Sequence, residues 1–574
     1  MKRLLQFVVL ILFALLLYAQ DSRGSTYYVD NCVVMGNDAN NGTSSMTPWL
    51  TVAKVNSISF NPGDAVLFEG GCTWREQLIP KTSGALGSPI TFGSYGSGQA
   101  TLNGSTMVTG WTLSSGNVYT STISWGPFGY AVWEDGTLLT KVTSGTAGMT
   151  AGTFYESGTT IYVWTLDGTS PAGHAIEVSH WPTSQNDGLI SLRAQSYITI
   201  NNLNITKANW YGVYLQSANY VTVSHSTFIQ TYHNAVSPYE QGTYANSTNL
   251  IVQGNTFDHV GITRPFTGQE GVAINGLGIQ TGLFDSNVVT NNYGESIVVL
   301  GGASGITVSN NHVSYGKAAG IYILAGYGAG GDTTGTTVTG NLVDNVPASA
   351  SAYVIATEST TNVNGLTMTY NVANCGSLQS SQYALRLGGS GGTGVYENMN
   401  IYGNTFANCP YGIASVSNPA SGPNNVFQNN VISTNQYYDI IMTDQATTNY
   451  TFAYNLLYTP YSTAIRWWNG TAVTNYTLAQ FNTAYGCPGQ WHCNSIQANP
   501  NVVGPPNFAL ATGSPAIGKG ANLGTTYQMG LDSTSAGTFP FTRAAQNANW
   551  DIGAFVYAAP SNPAPPSALS VTVD

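Results

Sequence analysis

Residues 282–313 read GLFDSNVVTNNYGESIVVLGGASGITVSNNHV, and this stretch decides the fold. It contains one unit twice, FDSNVV and VSNNHV, with Asn287 and Asn311 at the same place in each. The apolar run SIVVL lies between the two units. Short apolar runs of this kind indicate strands, and no amphipathic helical pattern separates them. A parallel sheet built from βαβ units is therefore excluded, because it needs a helix to cross over between strands.

The same unit recurs between about residues 198 and 457, and each copy from the second onward carries an asparagine. These are Asn255, Asn287, Asn311, Asn341, Asn371, Asn404, Asn430 and Asn455. A repeat of about two dozen residues with variable insertions predicts coils that stack at about 4.8 Å. A buried amide can hydrogen-bond to the equivalent amide of the next coil while satisfying the turn backbone. We therefore predict an asparagine ladder.

A second column of residues forms short apolar strands with a period of two, which predicts one buried face along the stacked coils. Its members are Val213, Val272, Ile297, Ile321, Val354, Leu385, Ile413, Ile440 and Ile465. Both columns favour a solenoid of stacked β-strands.

The two ends of the repeat carry recognisable segments. Residues 26–78, TYYVDNCVVMGNDANNGTSSMTPWLTVAKVNSISFNPGDAVLFEGGCTWREQL, and the later segments SPAIGKGANLG and DIGAFVY resemble the start and finish of the pectate-lyase-like superfamily. That resemblance implies an all-β fold, a right-handed parallel β-helix, in a secreted carbohydrate-active protein. It leaves the activity open, because this fold carries lyases, hydrolases, epimerases and noncatalytic proteins.

The pattern divides the chain into six segments. Residues 1–24 have the basic start and apolar run of a signal peptide, so we expect secretion and no membrane span in the mature chain. The others are a cap with the first coils (25–110), a β-rich insertion with hairpins (111–185), the β-helix core (186–470), C-terminal coils and cap (471–558), and a Pro- and Ala-rich tail (559–574).

The composition limits the classes of molecule that the protein is expected to bind. The formal net charge is −11 with only 15 Lys plus Arg, which argues against nucleic acid. We expect a polysaccharide partner and a monomeric protein. Six cysteines in an exported chain suggest disulfides; the pairs favoured by position are Cys32 with Cys72, Cys375 with Cys409, and Cys487 with Cys493.

The candidate active site is a pair of glutamates, Glu270 and Glu295, that lead into the strands of consecutive coils. If the coils are in register, the two Cα atoms lie about 5 Å apart. Two carboxyl groups at about 5 Å suit a retaining glycosidase, in which one attacks the sugar and the other donates a proton. Strand parity points this position inward, so the pair faces substrate only where the backbone bends. A pair of solvated glutamates is the alternative.

Other side chains on the outward face are candidates for binding sugar. The same outward position, three residues after the strand starts, holds Tyr214, Tyr322, Arg386 and Arg466, and aromatic or guanidinium planes suit sugar platforms. Lys317 and Arg264 complete the predicted substrate-binding set.

A second chemistry uses the same glutamates differently. In a polysaccharide lyase, Glu270 and Glu295 would bind Ca²⁺, and Lys317, Tyr322 or Arg264 would remove the proton beside a uronate carboxylate. No cofactor is required for the hydrolase. A third possibility is a noncatalytic carbohydrate-binding or cell-surface protein, since repeat surfaces bind extended chains without chemistry.

Overall fold

The computed structural model describes most of the chain. The described ranges are 24–125, 131–184, 187–238, 247–262, 271–327, 330–376, 381–388, 392–416, 420–433, 436–443, 449–460, 463–468, 471–485, 491–504 and 507–558. The predicted signal peptide up to residue 23, the tail from 559, Glu270 and Arg264 therefore lie outside the described residues. None of the helices within these ranges is long and apolar enough to cross a membrane.

The chain divides into two compact units, residues 1–266 and 267–574. In each unit, short parallel strands stack into three sheets, as in a right-handed parallel β-helix. We call the sheet that precedes the asparagine position sheet I, the sheet that follows it sheet II, and the sheet that contains the predicted site residues sheet III.

The first unit contains a short helix, Val52–Ser57, between the strands Thr26–Val29 and Ala65–Glu69. Sheet I contains Thr26–Val29, Ala65–Glu69, Ile90–Tyr95, Ile198–Asn201, Val221–Ser224 and Thr248–Gln253. Sheet II contains Thr73–Trp74, Ala100–Asn103, Leu203–Thr206, Thr227–Ile229 and Thr256–Asp258. Sheet III contains Gly188–Arg193, Tyr211–Gln216 and Val236–Pro238.

Two mainly antiparallel sheets are inserted in the sequence after the strand Ala100–Asn103, whereas the coils before and after the insertion pair directly with each other. One contains Ser105–Met107, Val132–Glu134, Thr137–Leu138 and Ile176–Ser179; the other contains Thr112–Ser115, Val118–Thr122, Thr140–Lys141, Thr153–Ser157 and Thr160–Trp164. Phe154, Ile161 and Val178 belong to one buried apolar cluster between them. The insertion therefore has a hydrophobic core of its own, and the predicted hairpin of Thr153–Ser157 with Thr160–Trp164 is present.

The second unit contains three sheets of the same kind, with more strands in each. Sheet I contains Gln280–Asp285, Ser304–Ser309, Thr333–Thr334, Thr337–Thr339, Val363–Asn364, Thr367–Thr369, Val395–Glu397, Asn400–Tyr402, Ala420–Ser421, Asn425–Gln428, Tyr450–Ala453 and Trp491–Cys493. Sheet II contains Val288–Thr290, His312–Ser314, Leu342–Asp344, Val372–Asn374, Thr405–Ala407, Val431–Ser433, Leu456–Tyr458 and Ile496–Gln497. Sheet III contains Ile274–Leu277, Ile297–Leu300, Ala319–Ala325, Ser351–Thr357, Tyr383–Leu387, Tyr411–Ser415, Tyr438–Met442, Ile465–Trp468 and the antiparallel Val473–Tyr476. A helix follows at Leu478–Tyr485.

The asparagines of the second unit lie in the turn between sheets I and II and are fully buried. The Oδ1 of Asn311 accepts hydrogen bonds from the backbone N and the Nδ2 of Asn287, both at 2.9 Å. The same two bonds join Asn311 to Asn341, and the pattern continues to Asn455. The Nδ2 groups also donate to strand carbonyls, as from Asn311 to Phe284 at 2.8 Å. Each buried amide is thus satisfied by its neighbouring coils.

The inward column of sheet III follows the prediction except at two positions. Ile274, not Val272, pairs with Ile297, because an alternating apolar pattern looks the same after a shift of two residues. Tyr353, not Val354, pairs with Ile321. Both faces of that strand are apolar, so the alternation does not show which of the two residues points inward. Tyr353 can point inward because its hydroxyl donates to backbone oxygens inside the coils.

Two of the three predicted disulfides are present. Cys32 bonds to Cys72, and Cys375 bonds to Cys409. Cys493 is also disulfide-bonded, whereas Cys487 lies outside the described residues.

The C-terminal segment folds back along the turns of earlier coils. It includes the strands Met529–Asp532, Arg543–Ala545 and Phe555–Val556. Arg543 donates to Asn310 and Thr339, and the backbone N of Ala554 donates to the Thr405 hydroxyl at 3.0 Å. This segment therefore packs against the asparagine-bearing turns of the second unit.

Candidate functional site

Glu295 lies two residues before the sheet III strand Ile297–Leu300, and its side chain is half-buried. The register of Ile274 with Ile297, counted back by two residues, places Val272 opposite Glu295. The predicted alignment of Glu270 with Glu295 at one position of consecutive coils is therefore wrong by two residues. Glu270 lies outside the described residues, so its role stays a prediction.

The turn before Glu295 is held by a buried asparagine. The Nδ2 of Asn292 donates to the backbone oxygen of Glu295 at 2.8 Å and to that of Gly271, in the preceding coil, at 2.6 Å. The backbone oxygen of Asn292 accepts from the N of Lys317, in the next coil, at 3.0 Å. One asparagine thus fixes the backbone that carries Glu295 to the coils on both sides.

Lys317 lies in the same turn region, but its contacts do not identify it as a catalytic base. Its side chain is exposed, and its Nζ lies 4.5 Å from the centre of the Tyr293 ring. A cation over an aromatic ring is a common surface contact.

The outward face of sheet III beside Glu295 is covered. Val298, Tyr322 and Val354 pair in that order on successive strands and belong to one buried apolar cluster. Tyr322 is only 8% exposed, and Tyr214, in the first unit, is fully buried with the Arg193 guanidinium 5.0 Å from its ring centre. Neither ring is open to solvent, so neither can serve as the predicted sugar platform. The prediction failed because side-chain alternation shows which face of the sheet a residue lies on, but not what covers that face.

Farther along the same sheet, three tyrosines occupy one position on consecutive strands: Tyr383, Tyr411 and Tyr438. All three are half-buried. The rings of Tyr383 and Tyr411 stack with centroids 5.0 Å apart and planes 20° apart. The guanidinium of Arg386 lies 5.9 Å from the Tyr383 ring, and that of Arg466 lies 5.8 Å from the Tyr438 ring.

Glu295 belongs to the same column as these tyrosines. The register runs from Glu295 to Ala319, from Ala319 to Ser351, and from Ser351 to Tyr383. Three coil steps correspond to about 14 Å. The column has inward parity, yet Glu295 and the tyrosines keep a minor part of their side-chain surface exposed.

The predicted site does not include these tyrosines. The signal was available, since the same residue type recurs at one strand position in three successive coils. Its meaning depended on exposure, which the sequence pattern does not give.

Another aromatic group lies in the first unit. His180 stacks between Trp125 and Trp181, with ring centroids 4.3 and 4.4 Å away, and its Nδ1 is 2.7 Å from the Thr106 hydroxyl. Burial lowers the pKa of His180 to about 4, so this imidazole is neutral at neutral pH. The arrangement suits packing rather than proton transfer near pH 7.

Two groups of potential metal ligands occur within the described ranges. One joins Asp30 to two cysteines whose sulfurs are already bonded to each other. The other is in the insertion, where the His174 Nδ1 lies 2.7 Å from Asp135 and 3.3 Å from Glu134. Neither group includes Glu295. The calcium site predicted there stays a prediction.

Comparison with known proteins supports the fold. The family model described as "Right handed beta helix region" matches residues 187–367, less than half of the chain. A curated relative, lacto-N-biosidase of Bifidobacterium longum subsp. longum, is 44% identical over 79 residues. That match covers 13% of this chain and only 5% of the relative's length.

Solved structures with a similar architecture share little sequence. The complex of XylC with xylose has a TM-score of 0.47 at 14% identity, and the alignment covers 82% of each chain. The lacto-N-biosidase from Eubacterium ramulus has a TM-score of 0.37 at 14% identity, over 83% of this chain and 68% of the other. The family-model match agrees with the right-handed parallel β-helix that the sheets form.

Proposed function

We propose that this protein is a secreted enzyme that degrades polysaccharide by hydrolysing glycosidic bonds, with Glu295 and Glu270 as its catalytic carboxylates. The observation that carries the proposal is the position of Glu295. It is a half-buried carboxylate, with its Oε2 buried, in the same column as three half-buried tyrosines.

Glycoside hydrolysis needs two carboxyl groups beside the scissile bond, one to protonate the leaving oxygen and one to attack the sugar or activate water. Glu295 supplies one of them on a backbone that Asn292 fixes to both neighbouring coils. Fixed placement of a catalytic group is worth a large part of a rate enhancement. Glu270 is the nearest glutamate in sequence and is our candidate for the other.

The local similarity to lacto-N-biosidase favours hydrolysis over elimination, because that name denotes a glycosidase. The apolar run near the N-terminus supports secretion, which suits an enzyme whose polymeric substrate lies outside the cell.

The test is a screen of the full chain on neutral and acidic polysaccharides, with and without EDTA, that follows new reducing ends and ultraviolet absorbance together. Reducing ends without absorbance, insensitive to EDTA, would support the hydrolase. Absorbance that EDTA abolishes would replace it by a calcium-dependent lyase. Binding without either signal on a broad panel would replace it by a noncatalytic carbohydrate-binding protein.

A further inference from the structure

The five-stranded sheet of the insertion has two faces of different chemistry. Ile161 and Val163 point into the buried apolar cluster of the insertion. Because side chains alternate along a strand, Tyr162 and Trp164 of the same strand point to the opposite, outer face. Tyr155 pairs with Tyr162 and lies on that face too. All three aromatic side chains are half-buried, and none belongs to the cluster. We call these three residues the aromatic platform.

The rings of the aromatic platform adjoin one another. Tyr155 and Tyr162 lie directly opposite each other on two antiparallel strands, with ring centroids 5.8 Å apart and planes 31° apart. Trp164 follows two residues after Tyr162 on the same face, a rise of about 7 Å along the strand. The three rings therefore form a continuous apolar surface over two neighbouring strands.

The polar atoms of the aromatic platform are available to a ligand. Within the described ranges, no hydrogen bond uses the hydroxyl of Tyr155, the hydroxyl of Tyr162 or the indole N–H of Trp164. None of these three atoms is buried without a partner. The surface thus combines apolar ring faces with hydrogen-bonding groups at the ring edges, which suits a ligand that is itself amphipathic.

The outer face of this sheet is uncharged. Among the described residues of its five strands, only Lys141 and Glu156 carry a charge. They pair with Phe154 and Ile161, which gives both the parity of the inner face, and they form an ion pair with each other. Asp167, three residues after Trp164, is an exposed carboxylate. An anionic ligand therefore meets no cation on the outer face, and a neutral ligand is favoured.

We propose that the aromatic platform is a second carbohydrate-binding site, which holds a neutral polysaccharide without cleaving it. The C–H faces of the sugar rings lie against the aromatic rings, while the two hydroxyls and the indole N–H hydrogen-bond to the sugar hydroxyls. A neutral polysaccharide is the occupant because it is both amphipathic and uncharged, as the platform is. A protein or an anionic lipid surface would find no complementary charge there.

This site goes beyond the proposed function. It belongs to the first unit and contains no carboxylate, whereas Glu295 belongs to the second unit. The platform therefore supplies affinity for the polymer and takes no part in the chemical step.

The test is affinity electrophoresis of the full chain in native gels that contain a polymer. Hydroxyethyl cellulose, arabinoxylan, galactomannan and dextran are the neutral polymers, and polygalacturonate is the acidic one. We expect retardation by at least one neutral polymer, and we expect it to persist in about 1 M NaCl because no ion pair contributes to binding. Retardation by none of the neutral polymers would overturn the proposal.

Variants locate the site. Y162A and W164A each remove one ring and should weaken apparent affinity about threefold to tenfold, and the double variant Y162A/W164A should lose more than about tenfold. Y155F/Y162F keeps both rings and removes two hydroxyls, so we expect a loss of about threefold to tenfold. The control is Y315A, because Tyr315 is a tyrosine of the second unit that is 53% exposed. It should keep wild-type affinity.

Melting temperatures show which variants keep the fold. Wild-type affinity in both double variants would overturn the proposal. If Y162A/W164A does not fold, Y155F/Y162F decides alone, because it keeps the packing of both rings, and wild-type affinity in that variant would overturn the proposal.

The same variants separate this proposal from the proposed function. If no polymer is hydrolysed but Y162A/W164A abolishes retardation by a neutral polymer, the hydrolase fails and the platform stands. If a polymer is hydrolysed and Y162A/W164A leaves the retardation unchanged, the hydrolase stands and the platform fails.

Discussion

Lys207 and Glu177 form a buried ion pair that ties the insertion to the coils of the first unit. Glu177 lies in the insertion strand Ile176–Ser179, whereas Lys207 directly follows a strand of sheet II. Arg75 contacts the other carboxylate oxygen at 2.5 Å, and the Lys207 Nζ lies 5.0 Å from the Trp133 ring centre. Burial raises the pKa of Glu177, but the two cations outweigh it and leave that pKa below its ordinary value.

Removing the carboxylate should be costly, because it leaves Lys207 buried without its partner. We expect E177A to lower the free energy of unfolding by about 3 kcal/mol. Urea denaturation followed by circular dichroism measures the change. The control is K141A, which breaks the more exposed pair with Glu156 and should cost less than about 1 kcal/mol. Similar losses of unfolding free energy in both variants would contradict a larger contribution of the buried pair to stability.

The insertion should also respond to pH through His174 and Asp135. The hydrogen bond to Asp135 raises the pKa of His174, and the same bond lowers the pKa of Asp135. The stabilisation is therefore fully present between the ordinary carboxyl and imidazole pKa values, about 4 and 6.5. It is lost as pH rises through the raised pKa of His174 and as pH falls through the lowered pKa of Asp135.

Melting temperatures measured from pH 3 to 9 test this coupling. We expect wild type to exceed H174Q most near pH 5 and the difference to shrink on both sides. A difference that grows steadily with pH would show that His174 acts in its neutral form.

The asparagine column predicts a position-specific loss of stability. The Oδ1 of Asn371 accepts two bonds from Asn341, and its Nδ2 donates to Asn404 at 2.9 Å. N371A removes these partners from buried groups, and we expect a loss of at least about 2 kcal/mol in unfolding free energy. N364A is the matched control, because Asn364 makes a similar amide contact to Asn398 at an exposed site. If N371A loses no more unfolding free energy than N364A, the buried asparagine column does not stabilise the fold.

The asparagine positions could be predicted because each coil repeats one chemical requirement, a buried turn whose amide must find partners above and below. The register between coils was less certain. Val272 and Ile274 have the same parity, and only the pairing with Ile297 distinguishes them. Tyr353 and Val354 are both apolar enough to point inward, and the carbonyl partners of the Tyr353 hydroxyl decide between them.

The site was harder to predict for a different reason. The repeat alone could place Arg386 on sheet III and Glu295 at the entry to one of its strands. The burial of Tyr214 and Tyr322 could not be predicted in this way, because it depends on the residues that pack over the outward face. Sequence periodicity assigns a side chain to a face, and tertiary packing determines whether that face meets solvent.

Glu295 provides the most direct test of the proposed chemistry. E295Q keeps the size of the side chain and removes its ability to carry charge or donate a proton as an acid. If Glu295 is one of the two catalytic carboxylates, kcat should fall about 100-fold or more while the melting temperature stays near that of wild type. KM should change little, because Glu295 is assigned to the chemical step rather than to substrate binding. E397Q is the control, since Glu397 is a half-buried glutamate of sheet I whose Oε1 accepts from Asn364 at 2.8 Å. Full activity in E295Q would remove Glu295 from the mechanism, whereas an equal loss in E397Q would attribute both effects to the fold.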